Sequence, residues 1–170
     1  PSFEAYRKHV KARELNVGAD PRRAIDLDRE ALALDSDFAS AWAGIGVAYR
    51  NLGIADSALA AFREALRRPQ RLTDRQRLMY EAFVAELHGD LAAPLAIYDR
   101  VVDADPSYLP AHHNRGVLLE SCGRYEEALA SFDRAAALSP FAPTQALLFN
   151  RLTALLALGR LEEARRLGSV

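Results

Sequence analysis

Residues 109–141 read LPAHHNRGVLLESCGRYEEALASFDRAAALSPF, and this stretch decides the fold. Apolar residues at Val117, Leu118 and Leu119 are followed by Cys122 and then Gly123. Glycine tolerates the left-handed backbone in which a helix ends and turns. A second apolar stripe runs through Tyr125, Ala128, Leu129, Phe132, Ala135 and Ala136, with the 3–4 spacing of one helix face. Ser139-Pro140 stops it, because the residue before a proline is pushed out of the helical region. The stretch is a helix, a tight turn, a second helix and a break.

The same plan recurs outward along the chain. Gly53, Gly89, Gly123 and Gly159 are spaced by 36, 34 and 36 residues, and so are Ala58, Pro94, Ala128 and Ala164. Gly46 and Gly116 also stand in matching places. A period in this range marks a stacked array of small units rather than one globular core. The unit upstream reads AWAGIGVAYRNLG (41–53) and ALAAFREALRRP (58–69); the next reads RLMYEAFVAELHG (77–89) and LAIYDRVVDADP (95–106). A last one begins at Pro143 and reads NRLTALLALG (150–159) and RLEEARRLG (160–168). Residues 4–16 and 21–35 make a weaker first unit. Thr73 with Gln76 predicts a capping box, and Asp20 with Pro21 predicts a capped helix start with proline in its first position. The expectation is about ten helices and no strand.

At this level the chain resembles a tetratricopeptide repeat (TPR) array. Trp42, Ile45, Gly46, Tyr49, Gly53, Ala58, Phe62 and Ala65 follow that family's pattern, and so do Gly116, Gly123, Tyr125, Ala128, Phe132, Ala135 and Pro140. The resemblance covers essentially all 170 residues. It implies an all-α fold, a right-handed α-solenoid of helix-turn-helix repeats coiled into an α-α superhelix. A single array is expected over 1–170, with repeats near 5–38, 39–72, 75–108, 109–142 and 145–170, the last incomplete. Three departures stand out. Pro94 replaces a small alanine, in the first turn of its helix where proline is tolerated. Asp28 and Gly168 stand where a core aromatic is expected. The order of segments also resembles arrays attached to larger bacterial signalling proteins, receptor-type serine/threonine kinases and transcriptional regulators among them.

Such an array binds rather than catalyses. In this family the first helices line a concave face, so the resemblance implies groove positions at Tyr6, His9 and Arg13, then Ala43, Gly44, Val47 and Arg50. They continue at Met79, Tyr80, Phe83 and Glu86, at His113, Asn114, Val117 and Glu120, and at Phe149, Asn150 and Thr153. Met79, Tyr80, Phe83, Val117 and Phe149 are expected to form an exposed apolar patch, with Arg50 and Glu86 at its rim and Asn114 and Asn150 as amides for a bound backbone. Methionine and aromatics on a groove floor suit a peptide or an amphipathic helix. The competing reading packs the same apolar residues inward, Phe83 and Phe149 above all. The alanine, glycine and valine of the second unit leave no polar grip for a terminal carboxylate.

Composition bears on other classes. Lys and Arg total 22 and Asp and Glu 23, a net charge of −1, so nonspecific nucleic-acid binding gets no electrostatic support. No apolar run approaches the 18 residues of a membrane span. Cys122 is the only cysteine, which precludes an internal disulfide, and it reads as a packed structural thiol. His112 and His113 point roughly 100° apart on a helix and cannot chelate one metal together; His112 takes the aromatic packing place. Six arginines between Arg63 and Arg77 read as a solvated helix end and loop. No glycine-rich phosphate loop, nucleophile elbow or zinc-protease helix is present, so neither cofactor, metal nor enzymatic activity is expected. The chain reads as a segment of a longer protein, in the cytoplasm unless a signal or anchor lies outside it. A second outlet for its surface is self-association, through Leu158, Leu161 and Leu167 of the final unit.

Overall fold

The structure is a computed structural model describing residues 1–17, 20–139 and 144–168. Among them are ten α-helices, one short 3-10 turn and no strand. Two compact units are distinguished, one from Pro1 to Asp90 and one from Leu91 onward. Unit 1 holds α1 (Phe3–Val17), α2 (Pro21–Leu34), α3 (Ala39–Asn51), α4 (Ala55–Leu66), the 3-10 turn Pro69–Arg71, and α5 (Asp74–Leu87). Unit 2 holds α6 (Ala92–Ala104), α7 (Leu109–Ser121), α8 (Tyr125–Ala137), α9 (Gln145–Ala157) and α10 (Leu161–Gly168).

The helix boundaries follow from local chemistry. Asp20 caps α2 by accepting from the Arg23 N–H, and Pro21 opens the helix. Thr73 accepts from the Gln76 N–H at 3.2 Å while the Gln76 side chain accepts from the Thr73 N–H at 3.0 Å, the capping box expected for α5. Thr144 caps α9 by accepting from the Leu147 N–H at 3.3 Å. Gly53, Gly89, Gly123 and Gly159 all have positive φ, 70–79°, and each follows a first helix. In each turn the residue after the glycine reaches back to the last helical turn, as Arg124 N–H does to the Leu119 carbonyl at 2.9 Å. This pairing satisfies carbonyls that the helix end would otherwise leave bare. Pro140 and Pro143, read as breaks, lie outside the described residues.

Helix pairs close on small residues. A Cβ at Gly46 would stand 2.7 Å from the Phe62 ring, and one at Gly116 would stand 2.5 Å from the Phe132 ring. The bare backbone of the first helix is therefore what admits the phenylalanine of the second. Ala58, Ala65, Ala128 and Ala135 are fully buried. In unit 2 the core gathers Leu119, Leu129, Phe132, Leu147 and Leu155. Leu158 and Leu167, expected on an outward face, pack against that core because α10 lies on α9; of the three leucines only Leu161 is exposed. Cys122 is also exposed, not packed, since it is the C-cap residue beside the Gly123 turn.

Asp28 is a different kind of departure. Its carboxylate is completely buried and lies 2.8 Å from His9 Nδ1, an α1–α2 pair. His9, placed on the groove face by its repeat position, is likewise buried. A Cβ on Gly44 would collide with Asp28 Oδ2, so the glycine leaves room for the carboxylate. Burial pushes the Asp28 carboxyl above its ordinary value, opposed by the hydrogen bond and charge of His9.

Candidate functional site

The expected groove residues lie on α1, α3 and α5 in unit 1 and on α7 and α9 in unit 2, and the two sets differ. In unit 1, Met79 is 3% exposed and Phe83 6%, so the expectation that both belong to an exposed patch fails: each is buried. Phe62 reaches from α4, its ring 5.2 Å from that of Phe83 and 6.1 Å from that of Tyr80. On another side Arg50 places its guanidinium 4.3 Å from the Phe83 ring centre and pairs with Glu86 at 3.3 Å. Phe83 is thus held between a ring and a cation, an arrangement that hides it. What α3 and α5 present at these positions is the half-buried Val47, Arg50, Tyr80 and Glu86, while Tyr6 and Arg13 on α1 are exposed.

Unit 2 keeps its apolar residues in view. Phe149 on α9 is 68% exposed and Val117 on α7 is 37% exposed. Leu156, two helical turns beyond Phe149, is exposed as well. The sequence reading missed Leu156, although it stands 70 residues after Glu86 in the same register. The Asn150 amide donates to His113 Nε2 at 3.2 Å, tying α9 to α7. Asn114, half-buried on α7, has no hydrogen-bond partner for its amide among the described residues. Thr153 turns its hydroxyl back to the Phe149 carbonyl at 3.0 Å. Burial raises the Glu120 carboxyl above its ordinary value. The α7–α9 face therefore combines an exposed aromatic, two aliphatics and side-chain amides, which is the chemistry that seats apolar side chains and holds a peptide backbone.

The remaining candidates have structural roles. His112 is buried and its Nε2–H donates to the Pro106 carbonyl at 3.0 Å, the packing role expected of it. Three arginines of the basic stretch are engaged by acids: Arg67 and Arg68 pair with Glu64, Arg68 also with Asp37, and Arg77 with Asp74 and Glu81. Among the described residues no group of three or more His, Cys, Asp or Glu side chains could hold a metal ion. No described helix is long and apolar enough to cross a membrane.

Comparison with known proteins agrees with this build. The tetratricopeptide repeat pattern matches residues 10–71 and 110–142, together more than half of the chain. TTC0263, a thermophilic TPR protein of Thermus thermophilus, superposes with a TM-score of 0.75 at 20% identity, over 96% of this chain and 87% of that one. YrrB, a TPR protein with an unusual peptide-binding site, gives a TM-score of 0.51 at 22% identity, over 94% and 84%. In sequence, the chain is 27% identical over 126 residues to a probable UDP-N-acetylglucosamine–peptide N-acetylglucosaminyltransferase, SPINDLY, of Hordeum vulgare. That match covers 68% of this chain but only 13% of the barley protein's length.

Proposed function

Because this chain belongs to the tetratricopeptide repeat family, whose repeats serve as protein–protein interaction scaffolds, we propose that it is a non-catalytic module that binds a peptide or helical segment through its first-helix faces. The whole chain is read as one array, with repeats near the five spans expected from sequence. The observation that carries the reading is the exposed strip of Val117, Phe149 and Leu156 beside Asn114 and the Asn150–His113 pair. An apolar segment laid across α7 and α9 would cover Phe149, and its backbone would meet the Asn114 and Asn150 amides. In unit 1, Tyr80, Arg50 and Glu86 supply polar contacts, with Phe83 buried beneath Arg50. YrrB is a precedent for peptide binding on this fold.

A peptide-display library selected on the folded protein tests this. A buried aromatic anchor typically costs at least about 2 kcal/mol when truncated, so Phe149→Ala should weaken the selected peptides about thirtyfold. The melt should stay within about 0.5 kcal/mol of wild type. Peptides that bind Phe149→Ala and Val117→Asp as well as they bind wild type would sink the reading.

A second reading is self-association, favoured by exposed Leu156 and Leu161 on the last two helices. Light scattering over a dilution series separates the two. A monomer at every concentration removes self-association, and a dimer that Leu161→Asp dissociates establishes it.

A further inference from the structure

Unit 1 carries a second concavity that the groove reading does not use. It holds about 700 Å³ between α2, α3 and α4, within the roughly 300–1,000 Å³ range of clefts that take small ligands. Its floor is Leu32 from α2 with Trp42, Ile45 and Tyr49 from α3. At 100° per residue this face of α3 lies roughly 130° around the helix from Ala43, Val47 and Arg50, so it is not the groove face. The volume stays open because the first turns of α4 contribute the small Ser57, Ala60 and Ala61 to the wall, with Arg63 and Glu64 following at the rim.

The rim is cationic. Arg29 on α2 donates to the Tyr49 hydroxyl at 3.0 Å, and Arg63 on α4 lies 3.2 Å from His88 Nε2. Neither guanidinium meets a carboxylate among the described residues, whereas the one acid of the rim, Glu64, is engaged by Arg67 and Arg68. A guanidinium that makes one hydrogen bond and no ion pair keeps donors for a bidentate carboxylate. The indole is held in place, its Nε1–H donating to the Ser36 carbonyl at 3.2 Å, with Arg68 5.7 Å from the ring centre.

We propose that this cleft is a binding site for a short acidic segment of a partner protein, with an apolar side chain seated on Trp42, Ile45 and Tyr49 and flanking carboxylates held by Arg29 and Arg63. The occupant follows from charge complementarity: an apolar floor between two uncompensated arginines selects an acidic-hydrophobic sequence over a neutral or basic one.

The chain has a single tryptophan, and it lies in the cleft, so its emission reports occupancy there. The probe is an acetylated, amidated peptide with two leucines flanked on each side by two aspartates. A saturable change in Trp42 emission is expected. It should be absent with the asparagine counterpart, weakened at least about tenfold in Arg29→Gln/Arg63→Gln, and unaffected by Phe149→Ala. Ala60→Glu is the second variant, an exposed wall position where an added carboxylate should repel the peptide without touching the core. A flat titration, an equal response to the asparagine peptide, full binding by both variants, or the same response to inorganic phosphate alone would each overturn the proposal. Phe149 lies in the other unit, so failure here leaves the groove reading standing, and the reverse.

Discussion

Seventy residues separate corresponding positions of the two units, and the two sets of side chains differ most at Met79 and Phe149, the first buried and the second exposed. Unit 1 has Arg50, Phe62, Met79, Tyr80, Phe83 and Glu86; unit 2 has Glu120, Phe132, Phe149, Asn150, Thr153 and Leu156 in their places. The glycine–phenylalanine contact is common to both, Gly46 on Phe62 and Gly116 on Phe132. Around it the units diverge. In unit 1, Phe62 meets two further rings, and a cation closes over Phe83. In unit 2 the cation becomes a carboxylate, the covered ring becomes a threonine, and Phe132 meets only the His113 ring among the described residues. Among the described residues nothing covers Phe149 in the way that Arg50 covers Phe83. Repeat register says which helix face a residue occupies. Burial on that face is decided by the side chains that neighbouring helices send toward it.

The largest expected effect tests this contrast directly. Phe83→Ala removes a buried ring from between Phe62 and Arg50 and should cost about 3–5 kcal/mol of stability. Phe149→Ala removes an exposed ring and should cost less than about 0.5 kcal/mol. Urea titrations of the two variants decide it, and equal losses would break the comparison.

At positions where the units agree, equal responses are expected. Ala58 and Ala128 are both fully buried and 70 residues apart. Ala58→Leu and Ala128→Leu should each lose about 1–3 kcal/mol by overpacking. Denaturation midpoints that move for one and not the other would show that the units differ in their inner packing as well as on the groove face.

Most of the fold was legible because its signals are local. A positive-φ glycine, a Thr–x–x–Gln box and an Asp-Pro helix start are each decided within a few residues, and all of them stand where the sequence places them. The site was legible only as a set of positions. The Phe83 environment depends on Arg50 and Phe62, which are 33 and 21 residues away and carry no pattern of their own. Leu156 escapes the pattern because the same register position holds Arg50, Glu86 and Glu120 in other units, so nothing marks it as apolar. The Asp28–His9 pair is half legible. Asp28 is visible as an exception in the core, but the repeat position of its partner points to the groove.

That pair gives a pH prediction specific to unit 1. Burial is the dominant influence on Asp28 and raises its carboxyl above the ordinary 3.8. Over the interval between that value and the raised one, the folded state binds more protons than the unfolded state. Folding stability contributed by this group therefore falls as pH rises through the interval. Asp28→Asn cannot titrate, so its stability relative to wild type should improve on going from about pH 3.5 to pH 7. Urea midpoints at the two pH values measure the difference, and exposed carboxylates common to both proteins cancel. A relative change of the opposite sign would mean that His9 outweighs burial.

The smallest effect concerns the arginine over Phe83. Arg50 contributes an ion pair to Glu86 and a cation over Phe83, each worth about 0.5–1 kcal/mol at a partly exposed site. The two share one side chain, and its aliphatic stem also covers apolar surface. Arg50→Ala should therefore cost about 1 kcal/mol, well below the loss from Phe83→Ala. Arg50→Lys keeps the charge but not the planar group that lies against a ring, so it should recover only part of that. The informative readout is accessibility. If Arg50 is what hides Phe83, Arg50→Ala should increase binding of a hydrophobic dye such as ANS, and Phe83→Ala in the same background should remove the increase. The corresponding change in unit 2, Glu120→Ala, should leave dye binding unaltered, because the position matching Phe83 there is Thr153. Equal dye responses from Arg50→Ala and Glu120→Ala would show that the cover over Phe83 comes from packing shared by both units and not from the arginine.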